Sequence, residues 1–111
     1  MAKASVSSYA IQKGAWSTGQ LDVTAAGTAE QLSSTSIPVP LGCQLTIIAK
    51  PGNTGTIYLG NSKANCESSS TRFDGLAAGL AVSLKVNDVN LVWVDASVNG
   101  EGVSYCIESD S

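Results

Sequence analysis

The stretch AVSLKVNDVNLVWVDASVNGEGVSYCIE, residues 81–108, decides the fold. From Ala81 to Val86 the apolar Val82, Leu84 and Val86 alternate with Ala81, Ser83 and Lys85. Side chains alternate across a strand, so this predicts a half-buried antiparallel strand. Asn87 to Asn90 turns the chain. Leu91 to Ala96 is apolar on both faces, which predicts a central strand packed on one side and covered on the other. Asn99, Gly100, Glu101 and Gly102 read as a tight turn. Val103, Tyr105 and Ile107 then alternate with Ser104, Cys106 and Glu108, predicting a closing strand that pairs with Leu91–Ala96.

Upstream, Gln44 to Lys50 alternates in the same way and ends at Pro51, Gly52 and Asn53, a turn cluster. Thr56 to Gly60 (TIYLG) reads as its hairpin partner. Asn61 to Arg72, rich in Ser and Asn, reads as a long loop. In the first forty residues the strand candidates are Val6–Gln12, Gln20–Thr24 and Thr28–Leu32, with Pro38 and Pro40 marking an extended connector. Thr28 to Gln31 also fits a capping box, but no helical period follows it, so strand is preferred. Seven or eight short strands separated by turns predict an all-β fold, an antiparallel β-sandwich or jelly roll. The chain's 111 residues suit one domain. It is expected over 20–111, with 1–19 an N-terminal arm or the first strand.

Charged residues are 14% of the chain, against ~25% in an average domain. Ser and Thr supply 24 of the 111 positions. A surface of hydroxyls and amides has few ionised groups to desolvate when a protein covers it. The six basic residues, Lys3, Lys13, Lys50, Lys63, Arg72 and Lys85, are scattered in a chain of net charge −3, so nucleic acid is not an expected partner. Ala4 to Trp16 is too broken by polar residues for a signal peptide, and Leu76 to Val82 too short for a membrane span, so a soluble protein with no membrane partner is expected.

Histidine is absent, which removes the commonest general base and transition-metal ligand. Cys43, Cys66 and Cys106 form no CxxC pair, and thiols in a reducing compartment fit their odd number; a Cys43–Cys106 bridge across the sandwich stays open. Asp95, Ser97, Asn99, Gly100 and Glu101 imitate the start of a calcium loop, but position 12 is Cys106 where Glu is required, and strands flank it. No serine has a base or a GxSxG elbow, no glycine-rich loop cradles a phosphate, and the carboxylates show no paired arrangement. The expectation is a non-enzymatic protein with no cofactor, metal or small-molecule substrate. Tyr58, Trp93 and Tyr105 lie within strand alternation and read as core. Val6, Tyr9, Ile11 and Trp16 in the arm, and Phe73 in a loop-like context, read as candidate interface residues. Strand addition to a neighbouring subunit is the expected use of the arm.

Three stretches, AGTAEQLSSTSIPV (26–39), LTIIAKPGNTGTIYLGNS (45–62) and LAAGLAVSLKVNDVNLVWVDASVNGEGVSYCIE (76–108), resemble a recurring type of small tailed-bacteriophage virion protein. NTGTIYLG, the LxxGxxVSL turn into a strand, and VDASVNGEGVSY carry the resemblance most strongly. It implies a capsid decoration, or cement, protein: made in the host cytoplasm, located on the virion's capsid surface, bound to the major capsid protein and often a homotrimer. It transfers no catalytic residue. A head-fibre, tail or host-surface module contacting a receptor or glycan through 61–72 and 97–102 is the alternative, and a non-phage extracellular β-domain a third.

Overall fold

The computed structural model describes residues 16–107, and within them the chain forms eight strands. They are β1 (Ser17–Asp22), β2 (Glu30–Gln31), β3 (Leu45–Ala49), β4 (Ile57–Gly60), β5 (Phe73–Leu76), β6 (Ala81–Leu84), β7 (Trp93–Ala96) and β8 (Gly102–Ile107). One helix, α1 (Lys63–Glu67), and a 3-10 turn at Val89–Leu91 interrupt them. Sheet I has the order β1-β8-β3-β6 and sheet II the order β2-β7-β4-β5, with every pairing antiparallel. The fold is an all-β sandwich. The strand expected over Val6–Gln12 lies outside the described residues.

The sandwich closes over side chains that alternation predicts to be inward. Leu45, Ile47 and Ala49 of β3, with Val103, Tyr105 and Ile107 of β8, face Ile57 and Leu59 of β4 and Val94 and Ala96 of β7. Each large apolar side chain so buried contributes roughly 1.5–3 kcal/mol. Leu45, Ile47, Ile57, Val94 and Val103 are wholly sequestered from solvent, which places the centre of the core between β3–β8 and β4–β7.

Two expected pairings are wrong. Thr56–Gly60 does not fold back on Gln44–Lys50, because β3 already has β6 on one side and β8 on the other. The Pro51–Gly52 turn does form, with the Asn53 N–H donating to the Lys50 carbonyl at 3.0 Å. Beyond it the chain is drawn across to the other sheet: the Glu101 carboxylate accepts from the N–H of Thr54 at 2.7 Å and of Gly55 at 2.8 Å, and the Asn53 amide donates to the Gly102 carbonyl at 2.9 Å. Likewise Leu91–Ala96 and Val103–Glu108 are not partners. The segment between β7 and β8 is an arch joining the sheets, pinned by Thr56 N–H to Ser97 Oγ at 2.8 Å and Gly100 N–H to the Val23 carbonyl at 2.7 Å. An inward alternating face satisfies burial against either sheet, so alternation alone does not distinguish hairpin from arch.

Asn61–Arg72 is also not a plain loop. Ser62 caps α1, its Oγ accepting from the Asn65 N–H at 3.1 Å, and Lys63 and Glu67 bridge at 2.6 Å one turn apart. The expected strand at Thr28–Leu32 shrinks to β2, two residues paired with β7. β1 begins at Ser17, taking Ser17 to Gly19 into sheet I.

Ser17, Ile107, Leu45 and Leu84 lie side by side across sheet I and mark one end of the sandwich. Asp22, Gly102 and Ala49 mark the opposite end, where the three connections 23–29, 50–56 and 97–101 are knitted together.

Candidate interaction surfaces

The two outer faces differ. On sheet II the helix α1 lies across β4 and β7, and Cys66 is buried beneath it, its Sγ 3.4 Å from the Trp93 carbonyl and 3.6 Å from that of Tyr58. Burial, reinforced by the negative charges of Asp95 and Glu67 and opposed by Arg72, pushes the Cys66 thiol up to about 12. Gly60 makes the close approach feasible, since a Cβ there would stand 2.6 Å from the Cys66 backbone. The Arg72 guanidinium lies 3.5 Å over the Tyr58 ring and bonds Asp74 at 3.2 Å. Tyr58 and Trp93, expected in the core, are half-buried residues of this outer face, because register places them opposite Asp95 and Gly60, not among the inward set.

Among the described residues, none lies across the outer face of sheet I as α1 lies across sheet II. The outward residues of sheet I form two rows across the four strands, Thr18–Cys106–Thr46–Ser83 and Gln20–Ser104–Ile48–Ala81. None of the eight carries a charge. A shallow depression of about 290 Å³ lies between β1, β8 and β3, lined by Thr18, Gln20, Thr46, Ile48 and Ser104 among others. Thr46 and Ser83 hydroxyls bond each other at 2.8 Å, so part of the face is internally satisfied. Its boundary at the knitted end is a charge pair, Lys50 to Asp22 at 2.7 Å.

A second, more apolar feature is the seam where the edges of β5 and β6 meet. A groove of about 390 Å³ opens there between Leu59 and Phe73 of sheet II and Val82, Leu84 and Val86 of sheet I and its extension, with Leu91 at its rim. Phe73, across from Leu59 in the register, is on the inner face of sheet II yet 52% exposed, because β5 is an edge strand and nothing described covers it.

The candidate interface residues are therefore dispersed. Phe73 lies in the groove; Trp16, 65% exposed, precedes β1 at the opposite edge; Val6, Tyr9 and Ile11 lie outside the described residues. Sequence reasoning did not find the charge-free face, which requires knowing that β8 lies between β1 and β3. The oxygens that imitate a calcium loop diverge: Asp95 Oδ1 accepts from Gly27 and Ala96 N–H, Asn99 Oδ1 from Ala26 N–H, and Glu101 from Thr54 and Gly55. Among the described residues no group of three or more Cys, Asp or Glu is placed to hold a metal ion. All three cysteines are thiols, with Cys43 on the core side of sheet I and Cys106 on its outer face. No protein-family model, curated protein or solved structure matches the chain.

Proposed function

We propose that this protein is a non-enzymatic capsid decoration protein that lays the outer face of sheet I on the assembled shell of a bacteriophage and stabilises it. The observation that supports the reading is the pair of uncharged rows on an otherwise regular sheet. Covering them requires no ion to leave water, while the hydroxyls and the Gln20 amide can exchange water for partner hydrogen bonds. Sheet II is occupied by its own helix and the Arg72–Tyr58 stack, so sheet I is the face on offer. The resemblance of 26–39, 45–62 and 76–108 to small virion proteins supplies the partner, the major capsid protein. A ligand selective for the assembled shell stabilises it by mass action, and many copies of modest affinity suffice.

The test is to add the purified protein to shells stripped of accessory proteins and measure occupancy and shell melting. Saturable binding in hundreds of copies with a raised melting temperature supports the reading. Binding to host cells but not to shells overturns it in favour of a receptor-binding module. For that alternative, segments 61–72 and 97–102 sit at opposite ends of the sandwich, after Gly60 and after Ala96, which lie at opposite ends of the β4–β7 ladder. One copy does not offer them as one patch.

A further inference from the structure

We infer that the groove between β5 and β6 is an acceptor for the N-terminal segment of a second copy of this chain, with Tyr9 and Ile11 filling it and residues 6–11 pairing with the open edge of β6. Three observations carry this. First, among the described residues β6 pairs with β3 only, and Ala81-Val82-Ser83-Leu84 carries none of the usual edge protections: no charge, no proline, no bulge. β5 by contrast has a register shift opposite it, the ion pair of Arg72 and Asp74 beside it, and Gly75 at φ 121°. Second, the groove beside that edge is lined by aliphatic and aromatic groups, and the polar residues at its end are already engaged, the Asn65 amide with Asn61 Oδ1 at 2.7 Å and Thr71 Oγ1 with the Asn65 carbonyl at 2.9 Å. It therefore suits apolar side chains spaced two apart on an added strand, the spacing of Tyr9 and Ile11, with the small Ser8 and Ala10 between and before Ile11 turned outward.

Third, length decides between the chain's own segment and a neighbour's. Ser17 and Leu84 are aligned at one end of sheet I but separated by three strand spacings, and a strand added outside β6 is a fourth. At about 4.8 Å each, the span is roughly 19 Å. Ile11 to Ser17 is six residue steps, which reach about 20 Å when fully extended. Nothing remains to climb past the chain entering β3, which passes Leu45 at that level. An arm from another copy has no such limit, and it can enter antiparallel, whereas the chain's own would be forced parallel to β6. Donor and acceptor lie on opposite edges, so each copy gives an arm and takes one. This inference is independent of the capsid reading.

Lys13, two residues beyond Ile11, and Lys85, next to Leu84, provide a native readout. Isotope-labelled and unlabelled full-length chains are refolded together, treated with a short amine-reactive cross-linker, and digested for mass spectrometry. The expected result is Lys13–Lys85 links of which about half join a labelled to an unlabelled peptide, as random pairing requires. Links found only within one isotope, or lysine links that omit this pair, overturn the inference. In a second measurement, Tyr9→Ser with Ile11→Ser should weaken self-association in sedimentation by at least about tenfold, equivalent to 1.4 kcal/mol, without moving the unfolding transition of the isolated subunit. Unchanged self-association, or the absence of any in the parent chain, would also overturn it.

Discussion

Cys66 and Cys106 show how position on a sheet sets the chemistry of one residue type. Cys106 is half-exposed on the outer face of sheet I, while Cys66 is wholly buried and Cys43 nearly so. In the native protein an aromatic disulfide reagent should therefore titrate one thiol quickly, and three after denaturation. Cys66 also gives a pH dependence with a definite sign. Its folded pKa is raised from 9.0 to about 12. The unfolded chain therefore releases the proton first, and stability present below pH 9 declines between 9 and about 12. Cys66→Ala should flatten that alkaline limb in urea unfolding followed against pH. At the acid side, Glu101 is held below the usual carboxylate range by hydrogen bonds from Thr54 and Gly55. Its contribution is present above the ordinary value of 4.5 and lost as pH falls through the lowered one. Glu101→Gln should reduce the acid sensitivity of the unfolding midpoint. Gly102 faces a harder constraint: a Cβ would lie 1.9 Å from the Leu21 carbonyl oxygen. Overpacking against backbone typically costs about 1–3 kcal/mol, so Gly102→Ala should lower the unfolding free energy by the upper part of that range.

Among the elements, β3 is deeply placed, with Leu45, Ile47 and Ala49 all buried and a partner strand on each side. Ile47→Ala should cost about 2–5 kcal/mol in equilibrium unfolding. The helix α1 is held by less, and Ser62→Ala, which removes its cap, should cost about 0.5–2 kcal/mol. The same contrast explains what could be read in advance. Seven of the eight strands, all but β5, are legible in the sequence at least in part, because their inward residues must be apolar whichever sheet they join. Their partners are not, since the turn chemistry of Pro51-Gly52-Asn53 serves a hairpin and an arch alike. What separates the two is a set of side-chain tethers, Asn53 to Gly102 and Glu101 to Thr54 and Gly55, between residues far apart in the chain. α1 is too short for a helical period to register, and its nearest signal is Gly60 followed by a capping Ser62. β5 is masked differently: FDGL shows no alternation, and only its pairing with β4 makes it a strand. Phe73 and Trp16 are both large exposed side chains, but Phe73, read as loop-like, belongs to β5, and their places on opposite edges depend on the strand order.

For the whole molecule, the asymmetry of the two faces predicts where substitutions separate folding from binding. Ser104→Glu and Thr46→Lys place charges in the neutral rows of sheet I, where the side chains already meet solvent. Their effect on unfolding should stay within about 1.5 kcal/mol, the value of the Thr46–Ser83 hydrogen bond. Shell occupancy should fall steeply for either, because a charge buried against a neutral partner has no compensation. Equal occupancy by both variants would remove sheet I as the contact face. Charge changes on the outside of α1, such as Lys63→Gln, should leave occupancy unaltered.

The place of β8 has a consequence for how the protein is made. It is the last of the described strands to be synthesised, yet in sheet I it stands between β1, the first of them, and β3, from the middle of the chain. Until residues 102–107 have emerged, β1 has no hydrogen-bonding neighbour and β3 only one. A nascent chain bearing the other seven strands holds the inner faces of two unfinished sheets open to its surroundings. Acquisition of the native state is thereby deferred until residues 102–107 have been made, and chains interrupted before Gly102 are the ones that cellular quality control would be required to clear.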